Sequence, residues 1–463
     1  MKFSEVTSLF YRMEEELKLL NKEIEGVFFW ELIRFKVHRD ILQEKNIIKS
    51  GHEKPKNNYI NKLRSFNKTI GWIFLKNPFL SKEVDLLFWG HPRRKKSDGG
   101  FFWDNHTDPI INSLKNEFRC LLLEPTYLGA HFIPPVTTNI RYTDFIQLLI
   151  FIFKKRIDFV DNSKLISQIE SEIYSRFEVK INIKKILVKK LSTKKISVNI
   201  YILLLKRLKP KLVFIIVSYG NEFFIEACKT LNITVIELQH GGGVSWHHLG
   251  YSYPNLSKIL FPDYFFTFGE FWKRRLKYPI PMKKVIPVGC AFHEIEKEKY
   301  LNENKLNQII IVSQGNVGNE ICKFAIDLQN DATFDYKIIY KLHPGEYLNW
   351  ENKYADLITA GITVVSDDSI PLYRLLAQSK VVIGVSSTVL YESLGFNVNI
   401  FLLNLPGMEY MQELIDEDIA NVVSTSSEFL NKYNSLNPNK LNSDYFYKKN
   451  ALENIKMEIT RLI

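Results

Sequence analysis

The chain has 463 residues, more than one ordinary core accommodates, so two domains of usual size are expected. Hydrophobic residues make up 46% and charged residues 24%, which excludes a disordered chain. The 62 Lys and Arg against 51 Asp and Glu give a net charge of +11, a balance that suits an anionic partner.

The N-terminus, Met1-Lys-Phe-Ser-Glu5, lacks the apolar core of a signal peptide. The longest apolar run, Phe145 to Phe153, is far short of the roughly 20 residues a spanning helix needs. Cys120, Cys228, Cys290 and Cys322 are scattered and form no metal-type pair, so they read as reduced thiols of a cytoplasmic protein.

Residues 3–46 read as helical, with Phe3, Val6, Phe10, Met13, Leu17 and Leu20 at three- and four-residue steps, and an apolar-aromatic segment from Phe28 to Leu42. Residues 49–69 are polar and rich in Lys and Asn, as in a surface connection. The first strand is 84–90. It opens into a loop, His91 to Asp108, dense in charge and glycine where an open α/β sheet places its ligands.

A strand at 120–125 follows, and 141–209 reads as one long helical excursion. There Lys180, Lys184, Lys185, Lys189, Lys190, Lys194 and Lys195 interleave with apolar residues. That pattern fits either a solvated helix face or a segment lying on anionic lipid. Strands at 212–217, 234–238, 264–268 and 285–288, with a helix from Phe223 to Leu231, complete the first half.

The polar stretch from His293 to Asn307 reads as a linker. The pattern restarts beyond it, with strands at 309–312, 336–340, 362–365, 381–385, 400–403 and 421–423, and a terminal helix over 444–463. The expected fold class is α/β: two Rossmann-like doubly wound domains facing across a cleft, with an N-terminal helical extension. The boundaries are 1–82 for the extension, 83–292 and 293–440 for the two domains, and 441–463 for the C-terminal helix.

Chemistry-bearing residues gather at the carboxyl ends of strands. Gln239-His240-Gly241 leads a Gly-rich aromatic loop through Trp246 and His248, and its glycines suit close backbone approach to a ligand. Lys341-Leu-His343-Pro344 ends a second strand, and Ser313-Gln314-Gly315 ends its neighbour. Ser386-Ser387-Thr388 opens a helix that carries Glu392 one turn in. There a helix N-terminus and hydroxyls suit a phosphate, and the carboxylate suits a ribose diol.

Together, His-Gly in the first half with His-Pro and Ser-Ser in the second resembles the GT-B transferases that use cytidine nucleotides. These are bacterial sialyl- and polysialyltransferases, capsule-type Kdo transferases and the CDP-glycerol glycerophosphotransferases. The resemblance covers about residues 84–425. It implies that His343, Pro344, Ser386 and Ser387 hold the donor phosphate, with Gln314, Gly315, Thr388 and Glu392 completing the nucleotide site. Gly99, Gln239, Gly241, His248 and Glu222 would lie on the acceptor side.

For the general base the families disagree. The sialyltransferases place an acidic residue before Gly, matched by Asp98 in Ser97-Asp98-Gly99, with Ser where the family has an acid. The glycerophosphotransferases use the His of His-Gly, matched by His240, preceded here by Gln rather than Trp. Asp98 has the better chemistry for a sugar hydroxyl and reads as the base, and His240 has the better position at a strand end and reads as essential.

The implied protein is a cytoplasmic, membrane-peripheral glycosyltransferase of capsule or lipopolysaccharide O-antigen synthesis. Its donor would be a CMP-activated nonulosonic acid or Kdo, and its acceptor a glycan or lipid-linked hydroxyl. The transfer would be inverting, with no cofactor and no metal; Asp416-Glu-Asp418 lies in a helical or loop region and does not read as a metal site. The alternatives are a CDP-glycerol or ribitol phosphate transferase, a UDP- or GDP-hexose transferase, and a non-catalytic polyanion-binding protein. No nucleic-acid-binding pattern is present.

Overall fold

Short apolar runs rich in β-branched and aromatic residues form strands buried on both faces, which commits the chain to parallel sheets covered by helices. The structure, a computed structural model, describes residues 1, 3–48, 71–96, 99–127, 129–155, 162–242, 248–253, 260–275, 278–315, 317–347, 350–367, 369–435 and 442–463. The first sheet holds β1 (Leu86–Trp89), β2 (Cys120–Glu124), β3 (Ile140–Tyr142), β4 (Leu212–Ile215), β5 (Thr234–Leu238), β6 (Tyr264–Thr267) and β7 (Val285–Pro287). Its order is β3-β2-β1-β4-β5-β6-β7, parallel throughout.

The second sheet holds β8 (Gln308–Val312), β9 (Lys337–Lys341), β10 (Thr363–Val365), β11 (Val381–Gly384), β12 (Asn399–Leu403) and β13 (Ala420–Val423). Its order is β10-β9-β8-β11-β12-β13, again all parallel. Both sheets are therefore doubly wound, and in each the strand order reverses between the first strand and the fourth.

Leu87 and Trp89 of β1 point to one face of the first sheet, and Leu86 and Phe88 to the other, as the two-residue period of a strand requires. The first face is covered by a helical layer: α1 (Phe3–Glu16), α2 (Phe29–Glu44), α3 (Asp144–Phe153), α4 (Ser163–Phe177), α5 (Ile183–Leu208) and α6 (Glu222–Thr230). The N-terminal helices thus share the core of the first sheet. The opposite face receives Ile455 and Ile459 of α8 (Ala451–Leu462), so the C-terminal helix returns to the first domain. A further short helix, α7 (Thr388–Glu392), follows β11.

The 141–209 excursion begins as a strand: three residues, Ile140–Tyr142, pair with β2 and are too few to display alternation in the sequence. It is then three helices, broken where Glu178 caps α4 in the left-handed region at φ 53° and where Asn182 accepts the Lys185 N–H at 2.7 Å to start α5. Ile183, Leu187 and Leu191 of α5 are buried, while Lys190 and Lys194 pair with Glu222 and Glu226 of α6.

One buried ion pair joins the N-terminal helices to the rest. Arg34 of α2 holds Glu14 of α1 through two bonds of 2.7 Å, and its Nη1 donates to the carbonyls of Leu249 and Ser252. Two helices far away in sequence thereby brace the loop that carries Tyr251.

Candidate active site

In open α/β sheets ligands bind beyond the carboxyl ends of the strands, at the reversal of strand order. In the second sheet that point lies between β8 and β11, and Gln314 closes it. Its Nε2 donates to Ser386 Oγ at 2.6 Å, and its Oε1 accepts the Ser386 N–H at 3.1 Å. Ser387 caps α7 by accepting the Val389 N–H at 3.3 Å, and Thr388 is exposed beside it. The helix is only five residues long and passes into a 3-10 turn at Ser393–Gly395, so the field expected of its N-terminus comes from little more than one turn.

His343 and Pro344 are exposed just past β9, and Gly315 lies beside the Glu346 side chain. His343 Nδ1 accepts the Gly345 N–H at 3.0 Å. That bond requires an unprotonated Nδ1, so the ring carries its proton on Nε2 and offers a neutral donor. The Glu392 carboxyl is turned toward Tyr373 and the Lys95 ammonium of the first domain, while its backbone carbonyl lies 3.1 Å from His293 Nε2; burial raises the carboxyl, against the pull of Lys95 and Tyr373.

Two connections of the first sheet bring three imidazoles together. His91 follows β1, His240 follows β5 at the same offset, and His106 precedes the helix Asp108–Leu114. Ring centroids lie 5.9 Å apart for His91 and His106, 6.4 Å for His106 and His240, and 6.5 Å for His91 and His240. Asp104 organises two of them, accepting the His91 N–H and the His106 N–H at 3.0 Å each and the Thr107 hydroxyl at 2.8 Å. Gly90 permits that approach, since a Cβ there would lie 2.9 Å from Asp104 Oδ2.

Burial pushes all three imidazoles down. His106 falls to about 4, and His240 to about 3, where the charges of His106, His248 and His91 would add repulsion. At neutral pH each ring is uncharged, with one N–H and one lone pair.

For His240 the hydrogen bonds decide which nitrogen is which. Tyr251 Oη donates to Glu237 Oε1 at 2.8 Å and lies 3.1 Å from His240 Nδ1. With the hydroxyl proton on the Glu237 side, Tyr251 accepts from Nδ1–H, and Nε2 keeps its lone pair as a base. Gln239 fixes the same loop, donating to Gly241 O at 3.0 Å and accepting the Phe268 N–H at 2.9 Å. Gly242 brings it against the second domain, where a Cβ would stand 2.5 Å from the Tyr391 ring. Arg275 spans the same junction, donating to Gly242 O at 3.2 Å and pairing with Glu413 at 2.8 Å.

The other acceptor-side residues are placed differently. The His248 ring is enclosed by Phe35, Tyr219 and Tyr251, and its Nδ1 accepts the Gly250 N–H. Glu222 starts α6, accepts the Gly220 N–H at 2.8 Å and pairs with Lys190. Gly99 is exposed, and Asp98 and Trp246 lie outside the described residues. Among the described residues no three His, Cys, Asp or Glu side chains are arranged to hold a metal ion.

The sequence places the 91–108 loop where a ligand is expected and puts Tyr251 in the His240 loop, but it does not mark His91, Asp104, His106 or Glu237 individually as site residues. A further signal is that His91 follows its strand as His240 follows its own.

Two doubly wound domains meeting at the carboxyl ends of their strands, with the last helix returning to the first domain, define the GT-B arrangement. No known protein family matches the chain, and no curated protein matches it. Among solved structures it is similar to the UDP-GlcNAc 2-epimerase of Methanocaldococcus jannaschii, with a TM-score of 0.50 and 12% identity over 81% of this chain and 99% of that one. MurG of Acinetobacter baumannii (TM-score 0.45, 11% identity, 82% of this chain, 100% of that one) and the wall teichoic acid polymerase TagF (0.41, 12%, 87%, 97%) are also similar, at scores that carry no weight. At such identities the likeness shows the fold alone.

Proposed function

We propose that the chain is a glycosyltransferase of bacterial surface polysaccharide synthesis. It moves a nonulosonic acid or Kdo from a CMP-activated donor to a hydroxyl of a glycan or lipid-linked acceptor, with inversion and without a metal. It works in the cytoplasm at the inner face of the membrane.

The observation that carries this reading is the Glu237–Tyr251–His240 chain. It leaves a neutral imidazole with a free Nε2 on the loop that abuts α7, the helix opened by Ser387.

In the proposed step His240 Nε2 takes the acceptor hydroxyl proton as the oxygen attacks the anomeric carbon. The bond from that carbon to the phosphate oxygen breaks, and CMP leaves with the electron pair. Ser386, Ser387, Thr388 and the His343 Nε2–H receive the charge that develops on the phosphate. A buried histidine with its pKa lowered to about 3 is by itself a weak base. The donor's anionic phosphate stabilises the imidazolium and strengthens that base only once donor is bound.

A thermal-shift screen of CMP, CDP, UDP and GDP tests the donor assignment. A nucleotide at 100 times its dissociation constant adds about 2.7 kcal/mol. The structurally similar Methanocaldococcus jannaschii protein is by name a UDP-GlcNAc 2-epimerase, which makes UDP the competing nucleotide. Stabilisation by UDP equal to that by CMP or CDP would overturn the cytidine assignment. Turnover lost in EDTA and restored by magnesium would overturn the metal-free mechanism.

A further inference from the structure

The fold leaves an apolar strip exposed on one side of the first domain. α3 is apolar on both faces: Ile146 and Ile150 enter the core, while Leu148, Phe151 and Ile152 point outward and Phe153 follows. Phe151 is 66% exposed and Ile152 57%. Beside the start of α3 lies the segment 71–80, which exposes Phe74, Leu75 (79%) and Leu80. The two are joined by the Tyr142 N–H donating to Lys76 O at 2.9 Å and by the Phe79 and Phe145 rings at 6.1 Å. Single exposed apolar side chains are ordinary on a protein surface, but a run of them on adjoining elements is not.

Cations close both ends of the strip. Lys154 and Lys155 are exposed just past Phe153, with Lys154 over the Phe151 ring at 4.5 Å. The Lys155 N–H donates to Ser192 O of α5, one turn from the exposed Lys189. None of these three lysines has a carboxylate partner among the described residues. At the other end Lys76 sits close enough to Arg141 that burial and the Arg141 charge both hold its ammonium below the ordinary range. The Lys180–Lys195 segment, by contrast, turns Lys190 and Lys194 toward carboxylates of α6.

We propose that this strip docks on an anionic lipid bilayer. Phe151, Ile152 and Phe153 enter the boundary between headgroups and acyl chains, and Lys154, Lys155 and Lys76 meet lipid phosphates. α3 is about 15 Å long. No helix among the described residues is long and apolar enough to cross a membrane, so the contact lies in the plane of the interface. The proposal rests on the membrane location within the proposed function, and its failure is distinguishable from that of the transferase chemistry because binding is measured with neither donor nor acceptor present.

The test is sedimentation of the full chain with vesicles of phosphatidylglycerol and phosphatidylethanolamine, against vesicles of phosphatidylcholine alone. The parent protein should pellet with the anionic vesicles at low salt and detach as salt rises. A Phe151→Ser, Ile152→Ser, Phe153→Ser variant should lose about tenfold or more in partition with its thermal midpoint unchanged, since these side chains already face water. Lys154→Gln with Lys155→Gln should weaken binding to the anionic vesicles alone, by about fivefold per lysine. A triple variant that pellets like the parent, or a parent that binds no vesicle at low salt, would overturn the proposal. So would a parent that is dimeric in sedimentation equilibrium and becomes monomeric in the triple variant with vesicle binding unchanged, which would give the strip to a second copy of the chain.

Discussion

His240 owes its proposed role to a hydroxyl eleven residues away in sequence. Tyr251 spends its proton on Glu237 and so holds the Nδ1–H, which leaves Nε2 open. Replacing His240 with Ala should therefore cut turnover about 10²- to 10⁴-fold, with CMP affinity by calorimetry unchanged. Tyr251→Phe keeps the ring and removes only the relay, so turnover should fall about tenfold or more with the fold intact. Asp98→Asn is the control, because the sialyltransferase resemblance favours Asp98. It should keep most of the activity, and a loss equal to that of His240→Ala would return the base to Asp98. Ser387→Ala and His343→Ala should instead weaken CMP binding by roughly 1.5–3 kcal/mol each, since in the proposed site each donates to the charged phosphate.

His248 yields a prediction about pH. Burial lowers it from 6.5 to about 4, so the unfolded chain binds more protons between those values. Stability contributed by its neutral form is complete above pH 6.5 and is lost as pH falls toward 4. His248→Phe retains an aromatic ring against Phe35 and removes the proton. It should flatten the slope of unfolding free energy against pH across that window by about 1.4 kcal/mol per pH unit.

At the scale of elements, α1 and α2 act as a brace. Their pattern of apolar residues was legible because helical spacing is local, but their purpose was not. Arg34 satisfies Glu14 on one side and two loop carbonyls on the other, at a position where the sequence shows only a charge inside an apolar helix. Arg34→Met leaves Glu14 buried without its cation and should destabilise the protein by about 3–5 kcal/mol in urea unfolding. Glu14→Leu combined with Arg34→Met should recover much of that loss, because the orphaned charge is then gone. Strand β3 is invisible in the sequence for a related reason. Three residues display no periodicity, and only pairing to Leu122–Glu124 makes them a strand.

The whole molecule depends on the junction of its two domains. Gly242 fits against Tyr391 with no room for a Cβ, and Arg275 spans the same seam to Glu413. Gly242→Ala should move the His240 loop off α7 and lower turnover, and adding Tyr391→Leu should restore part of it. An unchanged rate in Gly242→Ala would show that the seam does not set the geometry of the site.

By itself the sequence determined most of the order of strands and helices, though not β3, together with the restart of the pattern in a second half and the strand-end positions of His240, His343 and Ser386. Each of these follows from local periodicity, turn chemistry and the rule that parallel sheets carry ligands at their carboxyl ends. Tertiary structure alone decided the rest. It brought His91 and His106 from the two ends of one connection, and His240 from another, within about 6.5 Å of one another and set the tautomer of His240 through Tyr251. It also turned His248 and Glu222 into structural contacts. Those outcomes depend on which loops adjoin at the reversal of strand order and which groups burial strips of water, and neither is encoded in the spacing of residues along one segment.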